Sequence, residues 1–171
     1  MSKYSDFHDE VVEIVYELCK ECKTPTGKPY YSSIFAHHIS QDYKPIKLTG
    51  NITQHKPFAK NYWPDIWAQI SRKQRYDIYE VWHTETEEAA VEDIVFSSLV
   101  KSIQYISIIC TGENLTGDDA KQLTNLIMKG FSEEKELSIG AEEIQIVELP
   151  QKLRSNKANI KQYLKKEMKF V

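Results

Sequence analysis

The sequence predicts an α/β fold with a mixed central sheet flanked by helices. Three observations predict it. Near the N-terminus Phe7, Val11, Ile14, Val15, Leu18 and Cys19 recur at three- and four-residue steps, as one face of a helix requires. Within 62–83, YWPDIWAQISRKQRYDIYEVWH, two aromatic and β-branched runs flank a short basic segment and read as a β-hairpin. Beyond the hairpin, helical and strand patterns alternate, and a helix that joins neighbouring strands of one sheet makes those strands parallel.

The first helix is expected over 6–21. Ser5 serves as its cap, Asp6, Asp9 and Glu10 lie near its positive end, and Lys20 and Lys23 near its negative end. Cys19 and Cys22 form a CxxC that His37 and His38 could complete for zinc, but both cysteines also fit the apolar stripe, the better reading. Segment 24–60 is rich in proline and aromatics. A short helix at about 33–41 and a strand at about 46–53 are its regular pieces. Thr84 and Glu87 read as a capping box for a helix over 85–102, followed by a buried strand at 104–110, QYISIIC. Thr116 with Asp119 opens a helix that stops at Gly130. The alternating EIQIVEL of 143–149 is a strand, and Ile160, Tyr163, Leu164 and Met168 mark a last helix over 156–170.

With 171 residues, 41% hydrophobic and 27% charged, the chain suits one domain over 1–171 with a sizeable core. No run approaches the roughly 20 apolar residues of a membrane span and no signal-peptide core is present, so a cytoplasmic protein without a membrane partner is expected. A net charge of −3 excludes a general polyanion binder. Charge is nonetheless polarised. Lys152, Arg154, Lys157, Lys161, Lys165, Lys166 and Lys169 face one acid, Glu167, near the C-terminus. In 24–60, Lys28, Lys44, Lys47, Lys56 and Lys60 alternate with Tyr30, Tyr31, Tyr43 and Phe58, which suits either a nucleic-acid surface or a loop packed on the body. Gly112 and Gly117 form no phosphate-cradling loop, which argues against a nucleotide-binding enzyme.

Alternation along the hairpin places Trp63, Asp65 and Trp67 on one face of its first strand, and Ile78, Glu80 and Trp82 on one face of its second. An even-numbered loop brings the two sets together, with Asp65 and Glu80 as opposite or diagonal neighbours. Two carboxylates on an apolar face repel and lose hydration, so the pair asks for a hard cation or a shared proton.

Pro64-Asp65 followed by Glu80-Val81-Trp82 resembles the motif of the PD-(D/E)XK nuclease superfamily, with Trp82 where the family has its lysine. The resemblance implies a restriction endonuclease-like αβββαβ core over about 6–110, interrupted by the basic, aromatic insertion 24–60 and followed by a C-terminal αβα-type extension, 111–171. It implies hydrolysis of phosphodiester bonds in nucleic acid, DNA foremost, with Asp65 and Glu80 as catalytic residues and as ligands of Mg2+ or Mn2+. The carbonyl of Val81 and a first-helix acid, Glu10, would be further ligands. Lys56, Lys60, Trp82, Lys152 and Lys161 are the nucleic-acid contacts that go with this reading, and a homodimer is compatible with it. The missing lysine leaves an alternative: an inactive nuclease fold that binds nucleic acid or serves as a protein-interaction subunit. Lys73 lies near the hairpin turn, roughly 20 Å along the strands from the acids, and supplies no replacement.

Overall fold

The computed structural model describes residues 3–53, 56–100, 102–133 and 143–168. Helix α1 (Lys3–Glu21) leads into strand β1 (Tyr31–Ala36), a hairpin of β2 (Ile46–Thr53) and β3 (Lys56–Tyr62), and a second hairpin of β4 (Ile66–Ile70) and β5 (Tyr76–Trp82). Helix α2 (Glu87–Leu99), β6 (Ile103–Cys110), α3 (Gly117–Glu133), β7 (Glu143–Glu148) and α4 (Lys157–Glu167) follow in alternation.

The main sheet has the order β1-β4-β5-β6-β7, antiparallel through β5 and parallel from β5 to β7; β2 and β3 form a separate two-stranded sheet. The expected α/β architecture is therefore present, including helix crossovers between the parallel strands. Assignments within 31–62 differ, β3 among them, since the sequence reads as loop there. The first core strand is 31–36, where a short helix was expected, and the strand expected at 46–53 belongs to the separate hairpin. Segment 24–60 is thus not wholly an insertion. Tyr31 and Ala36 are buried while Ser33, Ile34 and Phe35 are partly covered, so edge strand β1 lacks the clean alternation that marks a half-buried strand.

Local signals differ at the helix ends as well. Thr86, not Thr84, caps α2 by accepting from Ala89 N at 3.2 Å. Thr116 and Asp119 form the reciprocal box, at 2.9 and 3.1 Å. Helix α3 passes through Gly130 to Glu133, since one helical glycine lowers stability by only about 1 kcal/mol.

Each face of the sheet carries its own core. On one side α1 and α4 bring Val11, Val15, Leu18, Cys19, Ile160 and Leu164 against Ile66, Tyr79 and Val81. On the other, α2, α3 and the β2–β3 hairpin bring Ala90, Ile94, Ala120, Leu48 and Tyr62 against Trp67, Ile78 and Trp82. Burial of each large side chain here contributes about 1.5–3 kcal/mol. Cys19 and Cys22 are both in the first core, the place their spacing in the stripe indicated. Among the described residues no helix is long and apolar enough to cross a membrane.

Candidate active site

The β4–β5 hairpin sets the geometry. Its register pairs Gln69 with Tyr76, Trp67 with Ile78 and Ile66 with Tyr79, and Ile70 N donates to Arg75 O at 2.9 Å, which leaves an even-numbered loop. Arg72 takes the left-handed conformation in that loop, φ 63°, without glycine. Continuing the register one step places Asp65 opposite Glu80, and Asp65 N indeed donates to Glu80 Oε2 at 3.3 Å. Asp65 precedes β4 rather than lying on it. Its backbone is fixed by His37 N, which donates to Asp65 O at 2.7 Å.

The two side chains are held differently. Glu80 is buried, on the face of Ile78 and Trp82, and its Oε1 accepts a hydrogen bond from the Tyr62 hydroxyl. Asp65 turns its carboxylate to the backbone of β5, where Val81 N donates to Oδ2 at 2.8 Å, and to His8 of α1, whose Nε2 lies 3.3 Å from the carboxylate oxygens. A strand residue points its N–H and C=O to the same side, so the Val81 carbonyl also faces this edge.

Two further acids complete the cluster. Asp93 of α2 accepts from Trp82 Nε1 at 3.0 Å, and Glu85 accepts from His83 N at 2.7 Å. Burial, then repulsion by Asp93 and Asp65, pushes the Glu80 carboxyl well above the carboxylate range. Burial, then repulsion by Asp65 and Glu85, raises Asp93 to about 7. Glu85 is also raised, by burial first and Asp65 among the charges. Burial opposes the charge of His8, but the hydrogen bonds and attraction of Asp65, Asp9 and Glu85 outweigh it and raise the imidazole to about 9. Acids thus crowd one another here, with the His8 imidazole at Asp65 and Glu85, an arrangement that takes up protons or a divalent cation.

The register sets Asp65 opposite Glu80, as the hairpin reading expects. The Asp65 carboxylate, however, turns to Val81 N and to α1 rather than to the face shared by Trp67 and Glu80, because Asp65 lies before β4 and not on it. The other expected residues are not brought in. Glu10 lies 3.5 Å from Lys157 Nζ of α4, and the α1 residue at Asp65 is His8. Trp82 is 2% exposed and its indole N–H is used by Asp93, so it offers no face to a base. Trp67 is core as well, whereas Trp63 is outside it, 52% exposed. Lys161 is engaged by Glu17 and Glu21 at 3.3 and 2.6 Å, and Arg154 by Glu113 at 2.8 Å, so α1 and the β6–α3 turn neutralise much of the basic C-terminal segment. Lys152 is exposed. Lys60 is exposed too, with Nζ 4.3 Å from the centre of the Phe96 ring. The Lys56 side chain lies outside the described residues.

His8 and Asp93 carried a usable signal. His8 precedes Val11 and Val15 by three and seven residues on α1, and Asp93 sits between Ala90 and Ser97 on α2, both at buried-face spacing. A charged or titratable residue on a buried stripe asks for a partner. No family model, curated protein or solved structure matches the chain.

Proposed function

We propose that this protein is a metal-dependent nuclease of the PD-(D/E)XK kind, acting on phosphodiester bonds of nucleic acid. One observation carries the reading: Asp65 and Glu80 stand opposite each other at the carboxyl end of β5, in a cluster with Asp93 and Glu85 in which His8 meets Asp65. The element order α1, β1, β4, β5, α2, β6 supports it, because it reproduces the superfamily's αβββαβ with the acids at the second and third core strands.

The residues fit a hard cation. Among the described residues no three His, Cys, Asp or Glu side chains form a ready-made cage. Mg2+ asks for less, since it keeps several waters and takes one or two carboxylates plus substrate phosphate. Asp65, Glu80 and the Val81 carbonyl would hold Mg2+ or Mn2+. Bound there, the ion would supply charge for phosphate oxygens and a more acidic water. The protein's own contribution is positional: Val81 N–H and His8 orient Asp65, and Tyr62 orients Glu80.

A specific observation favours a second reading, an inactive nuclease fold that binds nucleic acid. Trp82 fills the lysine position as a core residue, and no lysine among the described residues pairs with Asp65 or Glu80. One experiment separates the two. Single- and double-stranded DNA and RNA are incubated with Mg2+ or Mn2+ and wild type, Asp65→Asn or Glu80→Gln. Cleavage lost in both variants is the expected result; binding without cleavage in any metal leaves the second reading.

A further inference from the structure

Four rings cluster beside the acid cluster. His38 stacks on His37 with centroids 3.9 Å apart, and His37, Tyr43 and Trp63 form a triangle: His37 lies 4.8 Å from Tyr43 and 5.8 Å from Trp63, and Tyr43 stacks on Trp63 at 6.0 Å with an interplanar angle of 21°. The array is fixed to the same backbone as Asp65: His37 N donates to Asp65 O at 2.7 Å, and the Tyr43 hydroxyl donates to Pro64 O at 2.7 Å. Left-handed His38, φ 62°, shows that the chain adopts an unfavourable conformation at the end of the stack. Trp63 packs on both His37 and Tyr43 and leaves half its surface in solvent, while Trp67 and Trp82 are packed inside.

We propose that this ring cluster, with Trp63 as its exposed member, is a platform for an unpaired nucleobase, and that the preferred substrate of the site is single-stranded nucleic acid or a frayed end. The proposal deepens the nuclease reading and rests on it for the reacting phosphate. Trp63 is two residues from Asp65, at most about 7 Å along the chain, so a base on the ring puts its neighbouring phosphodiester beside the acids. A base inside a duplex already has both faces covered, whereas an unstacked base offers one. Charge supports the same partner. Lys44 follows Tyr43, and Lys47 and Lys60 are exposed on the neighbouring strands β2 and β3; none of the three pairs with a carboxylate among the described residues. Asp9, Glu10 and Glu13 line the groove past His38, which repels phosphate and directs the strand to the lysine side.

The test titrates the full chain, in EDTA so that nothing is cut, with oligothymidine and with a duplex of the same length, following tryptophan fluorescence and anisotropy. The single strand should quench the emission and bind more tightly than the duplex. Trp63→Ala should weaken single-strand binding by about 5- to 100-fold while Trp63→Phe retains most of it. The thermal midpoint should not move, because Trp63 is outside both cores. Unchanged binding by Trp63→Ala, equal binding of duplex, or quenching by a proline-rich peptide with no response to oligonucleotide overturns the platform. Cleavage in Mg2+ is scored separately. Single-strand cutting untouched by Trp63→Ala removes the platform and keeps the nuclease reading, whereas Trp63-dependent binding without any cutting removes the nuclease reading alone.

Discussion

Strand β5 buries two carboxylates, Asp77 at 3% exposure and Glu80 at 4%, on opposite faces of the sheet. Asp77 accepts from the Tyr31 hydroxyl at 2.6 Å on one oxygen and from Tyr105 N at 3.1 Å on the other, and Tyr31 in turn bonds Tyr79 at 2.5 Å. Both of these partners are donors. Glu80 also accepts two hydrogen bonds, but its neighbours include Asp65 and Asp93. The difference is one of charge rather than hydrogen bonding. A buried acid among donors is part of the scaffold, while a buried acid among acids stores repulsion that a ligand can relieve.

Asp77→Ala tests the scaffold side and should have the largest effect. It strands Tyr31 and Tyr105 N–H without their acceptor and should lower unfolding free energy by about 3 kcal/mol in urea titration, with any Mn2+ response intact. On the other side, Mn2+ at about 100 times its dissociation constant should stabilise the wild type by about 2.7 kcal/mol. Glu80→Gln should abolish that gain yet, without metal, be at least as stable as wild type, because it replaces an acid whose ionisation burial opposes with a neutral group that keeps a partner for Tyr62. A Glu80→Gln protein that is both metal-responsive and less stable would make the two carboxylates alike.

The sign of the pH dependence sharpens the contrast further. Asp93, raised to about 7 by burial and by Asp65 and Glu85, binds its proton more tightly folded than unfolded, so its contribution is full below about pH 4 and is lost as pH rises through 7. His8, raised to about 9 by Asp65 against the effect of burial, contributes below about 6.5 and loses it through 9. The thermal midpoint should therefore fall from pH 5 to 9 in metal-free buffer, and Asp93→Asn should flatten the portion below 7, a change of about 1–2 kcal/mol for a partly exposed group. The smallest effect belongs to Glu10→Gln. Its pair with Lys157 has side chains 38% and 60% exposed, so stability should change by less than about 1 kcal/mol and the Mn2+ response should not change.

The hairpin shows why part of the site was legible. Period-two alternation across 66–70 and 76–82, with an even loop, fixes Asp65 opposite Glu80 through interactions between neighbours in sequence. The first core strand was not legible in the same way. β1 pairs with β4 some 30 residues later, has a register shift between Tyr31 and Ser33, and sits at the sheet edge, so its sequence shows little periodicity. Segment 46–53 alternates better and is a strand, but the strand it pairs with is β3, and pairing is a tertiary choice.

The sequence by itself determined the alternation of helices and strands, the hairpin register and the identity of the opposed acids, because each follows from side-chain spacing within one or two elements. Only the tertiary structure decided which strand opens the sheet, that His8 rather than Glu10 meets Asp65, that α2 adds Asp93, and that Trp82 is interior while Trp63 is outside. Those outcomes depend on how α1 and α2 settle on opposite faces of β5, and packing between distant segments leaves no local periodicity to read.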